Sequence, residues 1–315
     1  MRLPRLAVAM ASIGLVAASV AAVPANAGKT DLKPWSDRTH QQNTAKAASA
    51  ACMISVGFPT AAGSLESADV LAGRPPQGLQ YEPIKFVGTR ANATWYGAVN
   101  STGTQFYYYG LLLQGGNLYR HTTYFYDSDR APLATFKKVG SGWSSFKTIA
   151  TSNYSVGTPR HQYLYGLNSN GSLYRYSIVG AGIKSYGSFP GFKGFKTMTV
   201  LSETATYDTL LMTTTAGALW TVHIPVAAAT KPVLKRIRTG GWQNFESLVV
   251  DGCGDRGGSL IVGVDNDTKT GTLYAMSKAN GAATALTGYG KIPDVVFNGV
   301  NSVLITTHYD QLVGE

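Results

Sequence analysis

The chain has 315 residues, and 27 lysines and arginines against 17 aspartates and glutamates give it a formal charge of +10. Only 14% of the residues are charged, whereas there are 36 glycines and 18 tyrosines, a composition that favours strands and turns over helices. No run of lysines and arginines is dense enough to predict a nucleic-acid site. The positive charge instead fits attraction to an acidic surface such as a cell-wall polymer.

Residues 1–27 predict a secretory signal peptide. Arg2 and Arg5 form a short basic region, residues 6–23 are apolar, and residues 25–27 read Ala-Asn-Ala, which fits a cleavage site. Small residues rather than a stop-transfer charge follow the apolar run, so we prefer export to the alternative of a membrane anchor. No later segment is apolar enough to span a bilayer. We therefore expect a secreted, extracellular protein without membrane insertion.

Residues 28–60 are predicted to form a polar N-terminal arm, and residues 61–315 a single folded domain. The arm is rich in lysine, glutamine, threonine and alanine, as expected of a segment outside the core. The only cysteines are Cys52 and Cys253. In an oxidising compartment an even number of cysteines predicts a disulfide, with two buried free thiols as the alternative.

A repeated Gly-x-Leu-aromatic signature organises the rest of the chain. Each copy follows an apolar run and a turn, the pattern of a β-hairpin. The copies occupy residues 116–119, 171–174, 217–220 and 271–274. A degenerate fifth copy, the apolar residues 303–307 followed by residues 310–313, closes the chain and predicts a fifth hairpin.

A second signature, Gly-Trp-x-x-Phe, lies between the hairpins. Clear copies occupy residues 142–146 and 241–245, and weaker ones residues 192–195 and 292–295. Their last positions recur about every 50 residues, and an alternating apolar strand follows each of the first three copies. Each repeat thus holds four antiparallel strands, the pattern of a β-propeller blade.

The predicted fold is all-β, a five-bladed β-propeller of four-stranded antiparallel blades. Residues 84–87 are predicted to begin the first blade. Residues 64–71 are predicted to supply the outer strand that the last blade lacks, so that an N-terminal strand closes the ring. An open solenoid or two small β domains are the alternatives.

The two Gly-Trp-x-x-Phe segments, at residues 139–146 and 238–245 with the hairpin signature downstream, resemble the tachylectin-2-like family of five-bladed propeller lectins. The resemblance implies sites for N-acetylated sugars between neighbouring blades, and hence a carbohydrate or glycan surface as partner. Residues 192–194, 291–294 and 79–83 lack the tryptophan, so at most two of five sites match. The implied ligand-binding residues are Gly140, Gly142, Trp143, Ser144, Ser145, Phe146, Gly240, Gly241, Trp242, Gln243, Asn244 and Phe245.

Trp143 and Trp242 allow two interpretations. An aromatic face can stack on a pyranose while nearby amides and hydroxyls bind its oxygens, or the rings can be packing between blades. Open rings would favour a lectin, whereas buried rings would favour a scaffold that binds a protein. Acidic residues clustered at the ring axis would favour a polysaccharide hydrolase or lyase.

No catalytic residue, metal ligand or cofactor site is predicted from the motifs. There is no Gly-x-Ser-x-Gly elbow, and the acidic residues are scattered. Asp265, Asp267 and Gly271 have the spacing of a calcium loop, but Lys269 interrupts it, which favours a hairpin turn. The histidines lack metal-ligand spacing and are expected on the surface or in the core. They are His40, His121, His161, His223 and His308.

Overall fold

The computed structural model describes residues 52–100, 102, 105–126, 130–227, 230–253, 258–307 and 311–315. The predicted signal peptide and residues 28–51 of the predicted arm lie outside the described residues. In the described part of the chain, every regular element is a β-strand, and no helix has the length and apolarity needed to cross a membrane.

The strands follow one another with short connections. In chain order they are β1 (Met53–Pro59), β2 (Ser64–Leu71), β3 (Gln77–Lys85), β4 (Ala91–Asn92), β5 (Trp95–Val99), β6 (Gln105–Gln114), β7 (Asn117–Tyr126), β8 (Leu133–Ser141), β9 (Phe146–Tyr154), β10 (His161–Asn168), β11 (Leu173–Val179), β12 (Gly182–Phe189), β13 (Phe195–Glu203), β14 (Tyr207–Thr214), β15 (Leu219–Pro225), β16 (Val233–Arg238), β17 (Ser247–Gly252), β18 (Ser259–Asp265), β19 (Thr270–Met276), β20 (Leu286–Lys291) and β21 (Val303–Thr307).

The strands form antiparallel groups of four. Strands β9–β12, β13–β16 and β17–β20 make three separate four-stranded sheets. The remaining sheet consists of two antiparallel runs, β21-β1-β2-β3 and β5-β6-β7-β8, joined by parallel pairing of β21 with β5, while β4 pairs with β6. We call these groups unit 1 (β4–β8), unit 2 (β9–β12), unit 3 (β13–β16), unit 4 (β17–β20) and unit 5 (β21 with β1–β3).

Unit 5 differs from the sequence prediction. Residues 303–307 form the first strand of this unit, not the first strand of the predicted closing hairpin, because their antiparallel partner is β1, which in turn pairs with β2. The N-terminal segment therefore supplies three strands rather than a single outer strand. β1 lies within residues 28–60, the predicted arm, and its almost continuous burial shows that the folded part begins before residue 61.

The prediction for residues 84–87 also needs correction. Residues 84 and 85 end β3, which is the outer strand of unit 5, and Phe86 lies in the connection that follows. The first strand of unit 1 is formed instead by β4 and β5. Its core residue Trp95 is fully buried against Phe86 at a ring-centroid distance of 5.2 Å.

Each connection between units carries a buried apolar residue, which we call a wedge residue. Its backbone N–H donates a hydrogen bond to the carbonyl of a glycine at the preceding hairpin turn, so the connection is held against that turn. All five wedge residues are buried. The donor and acceptor pairs are Phe86 and Gly63 (2.8 Å), Trp143 and Gly116 (2.9 Å), Phe192 and Gly171 (2.7 Å), Trp242 and Gly217 (3.0 Å), and Ile292 and Gly271 (2.9 Å).

The starts of the first strands of all five units line one shared cavity. Polar side chains link each unit to the next around it: Arg90 Nη2 donates to the carbonyl of Trp143 (2.7 Å), and Lys147 Nζ to that of Phe195 (3.5 Å). Lys196 Nζ lies 3.2 Å from Glu246 Oε1. Asn266 Nδ2 donates to the carbonyl of Val300 (3.0 Å), and Asn92 Nδ2 to Asn301 Oδ1 (2.8 Å).

The predicted disulfide between Cys52 and Cys253 is present, with the two Cα atoms 5.3 Å apart. Cys52 precedes β1 of unit 5 and Cys253 follows β17 of unit 4, so the bond ties the N-terminal strands to a distant part of the chain. Such a long closed loop restricts the unfolded chain strongly.

We expect the double substitution Cys52→Ser, Cys253→Ser to lower the free energy of unfolding by roughly 2–5 kcal/mol. Urea unfolding with and without dithiothreitol measures this. The reductant should lower the wild-type midpoint to that of the double variant and leave the variant unchanged. An unchanged wild-type midpoint under reducing conditions would contradict a stabilising role for the bond.

Candidate functional site

The structure buries both tryptophans of the predicted sugar loops. Trp143 and Trp242 are each only 4% exposed. The Trp143 ring lies 4.4 Å from Phe146 and 5.1 Å from Tyr176, measured between ring centroids. The Trp242 ring lies 4.8 Å from Tyr274. In this conformation neither indole ring offers an open face on which a pyranose could stack.

The burial follows from the position of these residues in the repeat. Trp143 and Trp242 are wedge residues, and Phe192 and Ile292 fill the same position in two other connections between units. Since a phenylalanine and an isoleucine occupy the equivalent buried position, apolar bulk there does not depend on an indole ring. This observation counts against tryptophan-based sugar sites and, by the criterion set from the sequence, favours a scaffold.

The remaining predicted ligand-binding residues divide between surface and core. Phe146 and Phe245 are buried, and Gly140 is half-buried. The two loops belong to different core clusters, so the structure does not bring them together. The exposed members are Gly142, Ser144, Ser145, Gly240, Gly241, Gln243 and Asn244.

An aromatic crevice lies between units 1 and 2, and the sequence analysis did not identify it. Tyr96 on β5 and Tyr109 on β6 are cross-strand partners, with ring centroids 5.9 Å apart. Tyr96 is buried at the inner end of the crevice, and its hydroxyl donates to the carbonyl of Thr151 (3.3 Å). Tyr109 is half-buried and lies further out. Leu111 and Ile178 add to the apolar lining.

Polar side chains border the two tyrosine rings. Arg120, Asn153 and Gln162 all line the crevice. Gln162 Nε2 donates to Asn153 Oδ1 (2.7 Å), and Arg120 Nη2 donates to the carbonyl of Gly180 in unit 2 (2.9 Å). The crevice therefore combines flat apolar rings with a guanidinium and two amides.

The equivalent crevice between units 2 and 3 is filled. Arg175 occupies the same repeat position as Arg120, directly after the Gly-x-Leu-aromatic signature, but it is only 1% exposed. Its guanidinium lies 5.0 Å from the Tyr163 ring and 4.6 Å from the Tyr186 ring, and Nη1 donates to the carbonyl of Pro225 (2.7 Å). These contacts, which include cation–π stacking, hold the Arg175 guanidinium among protein groups.

Two carboxyl groups lie close to each other in the strand register of unit 3. Asp208 on β14 is fully buried and accepts hydrogen bonds from Ser152 Oγ (2.6 Å) and Tyr165 Oη (2.7 Å), and its Oδ1 lies 2.9 Å from His161 Nε2. Its cross-strand partner Glu203 is 3% exposed. Burial, and secondarily the negative charge of Asp208, raise the pKa of Glu203 to about 8.

Residues 311–315 cover this carboxyl pair. The carbonyl of Leu312 accepts a hydrogen bond from the Glu203 N–H (2.9 Å), and Gln311 Nε2 donates to the carbonyl of Asn153 (3.0 Å). Glu203 Oε2 itself accepts a hydrogen bond from the Asn153 N–H. Because both carboxyls are buried and engaged with protein groups, a substrate cannot reach them in this conformation. The arrangement does not favour the hydrolase alternative.

The other candidate residues have structural roles. Asp265 ends β18 and accepts a hydrogen bond from the Thr268 N–H (3.0 Å), which confirms the hairpin turn. His121 is a core histidine: it is fully buried beside Trp95, and its burial lowers its pKa to about 3. No group of three potential metal ligands occurs within the described ranges.

No protein-family model and no curated protein matches the chain. Solved structures with partial similarity include the α-L-arabinofuranosidase PaAbf62A from Podospora anserina in complex with cellotriose, at 14% identity, 72% coverage of this chain, 80% of that chain and a TM-score of 0.47. The SapL1 lectin in complex with alpha methyl fucoside is 11% identical, with 74% coverage of this chain, 78% of that chain and a TM-score of 0.39. A mutant of Aleuria aurantia lectin in complex with alpha-methyl-L-fucoside is 11% identical, with 79% coverage of each chain and a TM-score of 0.35.

These similarities are too low to identify a ligand for this chain. None of the comparisons places the chain in the tachylectin-2-like family. What is shown is the architecture itself, an all-β arrangement of four-stranded antiparallel sheets. The chemistry of the site has to be argued from the residues.

The wedge role predicts the response to substitution of Trp143. Trp143→Ala should lower the free energy of unfolding by roughly 3–5 kcal/mol because it leaves a cavity between units. Trp143→Phe should cost much less, since Phe192 fills the equivalent position. Urea denaturation compares the two variants. An alanine variant as stable as the wild type would contradict the packing role.

Glu203 predicts a stability that falls as pH rises. The unfolded chain releases this proton above about pH 4.5, the ordinary value for glutamate, whereas the folded chain holds it until about pH 8. The free energy of unfolding should therefore decrease across this interval. Glu203→Gln should flatten the decrease, whereas the control Glu82→Gln in β3 should not. Thermal melts from pH 4 to pH 9 measure it, and parallel profiles for Glu203→Gln and wild type would refute the assignment.

Proposed function

We propose that the chain is a secreted carbohydrate-binding protein built on a closed five-bladed β-propeller, and that the crevice between units 1 and 2 is its sugar site. Three features support the propeller: five four-stranded groups, a cavity shared by the first strands of all five, and a wedge hydrogen bond at every crossing. The disulfide between the neighbouring units 4 and 5 ties the N-terminal strands into such a ring.

The observation that carries the sugar site is the half-buried Tyr109 beside Arg120 and Gln162. A pyranose has an apolar face of C–H groups and an edge of hydroxyls. The tyrosine ring suits the first, while the guanidinium and the amide suit the second by donating hydrogen bonds. Pockets that recognise small polar ligands commonly combine such a ring with a few placed polar groups.

N-acetylated sugars of cell-surface or cell-wall glycans are the first ligands to test. The resemblance to the tachylectin-2-like family implies them, and an acetamido group offers a methyl to the apolar wall and a carbonyl to Arg120. The positive charge of the chain would draw it toward acidic wall polymers. Neither feature depends on the buried tryptophans.

A scaffold that binds a protein is the competing function, favoured by the burial of Trp143 and Trp242. The two functions differ in which substitutions matter. A sugar site in the crevice depends on Tyr109 and Gln162, whereas a protein-binding surface without sugar affinity gives no glycan signal with any variant.

The test is a glycan-array screen of the full chain with Tyr109→Ala and Trp143→Phe beside it. We expect selective binding by the wild type, a loss of roughly tenfold or more in affinity for Tyr109→Ala, equal to about 1.4 kcal/mol, and retention by Trp143→Phe. Circular dichroism confirms that each variant is folded.

Silence of the wild-type protein across the array would overturn the sugar-binding function and leave the scaffold. Binding that survives Tyr109→Ala but disappears with Trp143→Phe would move the site back to the loop of residues 140–146.

A further inference from the structure

The central hairpin of unit 1 is longer than that of its neighbour. The β6–β7 ladder has ten residue pairs, from Gln105 opposite Tyr126 to Gln114 opposite Asn117. The corresponding β10–β11 ladder of unit 2 has five. The end of the unit 1 hairpin that carries Gln105 and Tyr126 therefore has no matching length of hairpin in unit 2.

Tyrosines continue from the crevice along this longer hairpin. Tyr107 lies two residues from Tyr109 on the same strand face, and Tyr124 is the cross-strand partner of Tyr107. The ring centroids of Tyr109 and Tyr107 are 6.1 Å apart, and those of Tyr107 and Tyr124 are 5.8 Å apart. We call Tyr96, Tyr109, Tyr107 and Tyr124 the tyrosine surface. All but Tyr96 are half-buried.

The core of unit 1 does not require this surface. Successive residues of a strand point to opposite faces of the sheet. The opposite face of the same strands carries Trp95, Phe106 and Tyr108, which belong to the buried cluster shared with unit 5. The tyrosine surface looks away from that cluster, toward the crevice beside unit 2.

The surface ends beside a cation. Tyr126 follows Tyr124 on the same strand face, and the guanidinium of Arg130 lies 4.3 Å from its ring centroid. Arg120, at the crevice, lies on this face four residues before Tyr124. Donors of hydrogen bonds thus border the rings at both ends, which a ligand rich in hydroxyls can use along its length.

We propose that the tyrosine surface binds a glycan chain along several consecutive sugar residues, rather than a single terminal sugar. The proposal rests on the sugar-binding function of the crevice. The ring-to-ring steps of 6.1 Å from Tyr109 to Tyr107 and 5.8 Å from Tyr107 to Tyr124 are close to the length of one pyranose residue in a chain, so successive sugars meet successive rings. The crevice at Tyr109 holds one residue of the chain, and Tyr107 and Tyr124 support the next ones.

The alternative is that these rings form only cross-strand pairs, which stabilise a sheet without any ligand. Cross-strand packing needs one partner for each ring, and leucine or valine would serve it. A row of rings that leads out of an open crevice is explained by a ligand that extends along it. The length dependence of binding separates the two explanations.

The test is isothermal titration calorimetry of the full chain with chito-oligosaccharides and cello-oligosaccharides of one to six residues. For the series that binds, we expect affinity to rise with each residue to about the trimer, one sugar for each of Tyr109, Tyr107 and Tyr124, and then level off. Tyr124→Ala and Tyr107→Ala should each lower the affinity for the trimer by roughly tenfold. Both variants should leave affinity for the monosaccharide unchanged.

The matched control is Tyr289→Ala, which removes a half-buried tyrosine from β20 of unit 4. It should leave the length dependence unchanged, and thermal melts confirm that each variant is folded. Equal affinity at every length, with loss only in Tyr109→Ala, would overturn the extended site and leave the single-sugar site standing. No binding at any length by wild type, together with a silent array, would overturn both.

Discussion

The backbone hydrogen bond of the wedge residue determines how each unit is placed against the next. The donor is the wedge N–H in the connection between two units, and the acceptor is the carbonyl of the glycine at the preceding hairpin turn. The connection therefore folds back against that turn before the next sheet begins. The side chain at that point is driven into the interface between units. The first strand of the next unit starts just after the wedge residue, so its position relative to the preceding unit is fixed. Arg90 and Lys147 can then reach the carbonyls of Trp143 and Phe195 at the following units. Apolar burial and a satisfied backbone donor thus coincide at one residue per crossing.

This constraint accounts for the burial of the tryptophan rings, for which the sequence left both packing and sugar stacking open. Gly-Trp-x-x-Phe fits both a ring held between sheets and a ring offered to a sugar, so the motif alone does not separate the two uses. The repeat of about 50 residues does contain a signal that favours packing over sugar stacking. Phe192 and Ile292 recur where the tryptophans stand, and such replacements are what a packing position tolerates. The sequence analysis counted these two segments as sugar sites without their tryptophan. In the structure Phe192 and Ile292 are buried wedge residues like the tryptophans.

The hairpins and outer strands of units 2, 3 and 4 could be predicted because their signals are local: an apolar run, a turn glycine and an alternating strand within about 50 residues. Unit 5 could not. Its pairing joins Val56 to Leu304 across almost the whole chain, and the apolar run of residues 303–307 fits a first or a second strand equally well. The crevice was missed for a related reason. Tyr107, Tyr108 and Tyr109 are adjacent in sequence, and only the register shows that the middle one faces the core.

The differences between repeats bear on the number of sugar sites that the proposed function allows. A lectin with equivalent blades would gain avidity from several weak sites. Here an arginine follows the hairpin signature in units 1 and 2, whereas units 3 and 4 have Thr221 and Ala275 at that position. In unit 2 the guanidinium of Arg175 stacks on the rings of Tyr163 and Tyr186, so its faces are covered by protein. Unit 1, unlike unit 2, combines this arginine with an open crevice and a hairpin long enough to extend it. Under the proposed function, affinity therefore comes from the length of one ligand along unit 1, not from repetition of equivalent sites.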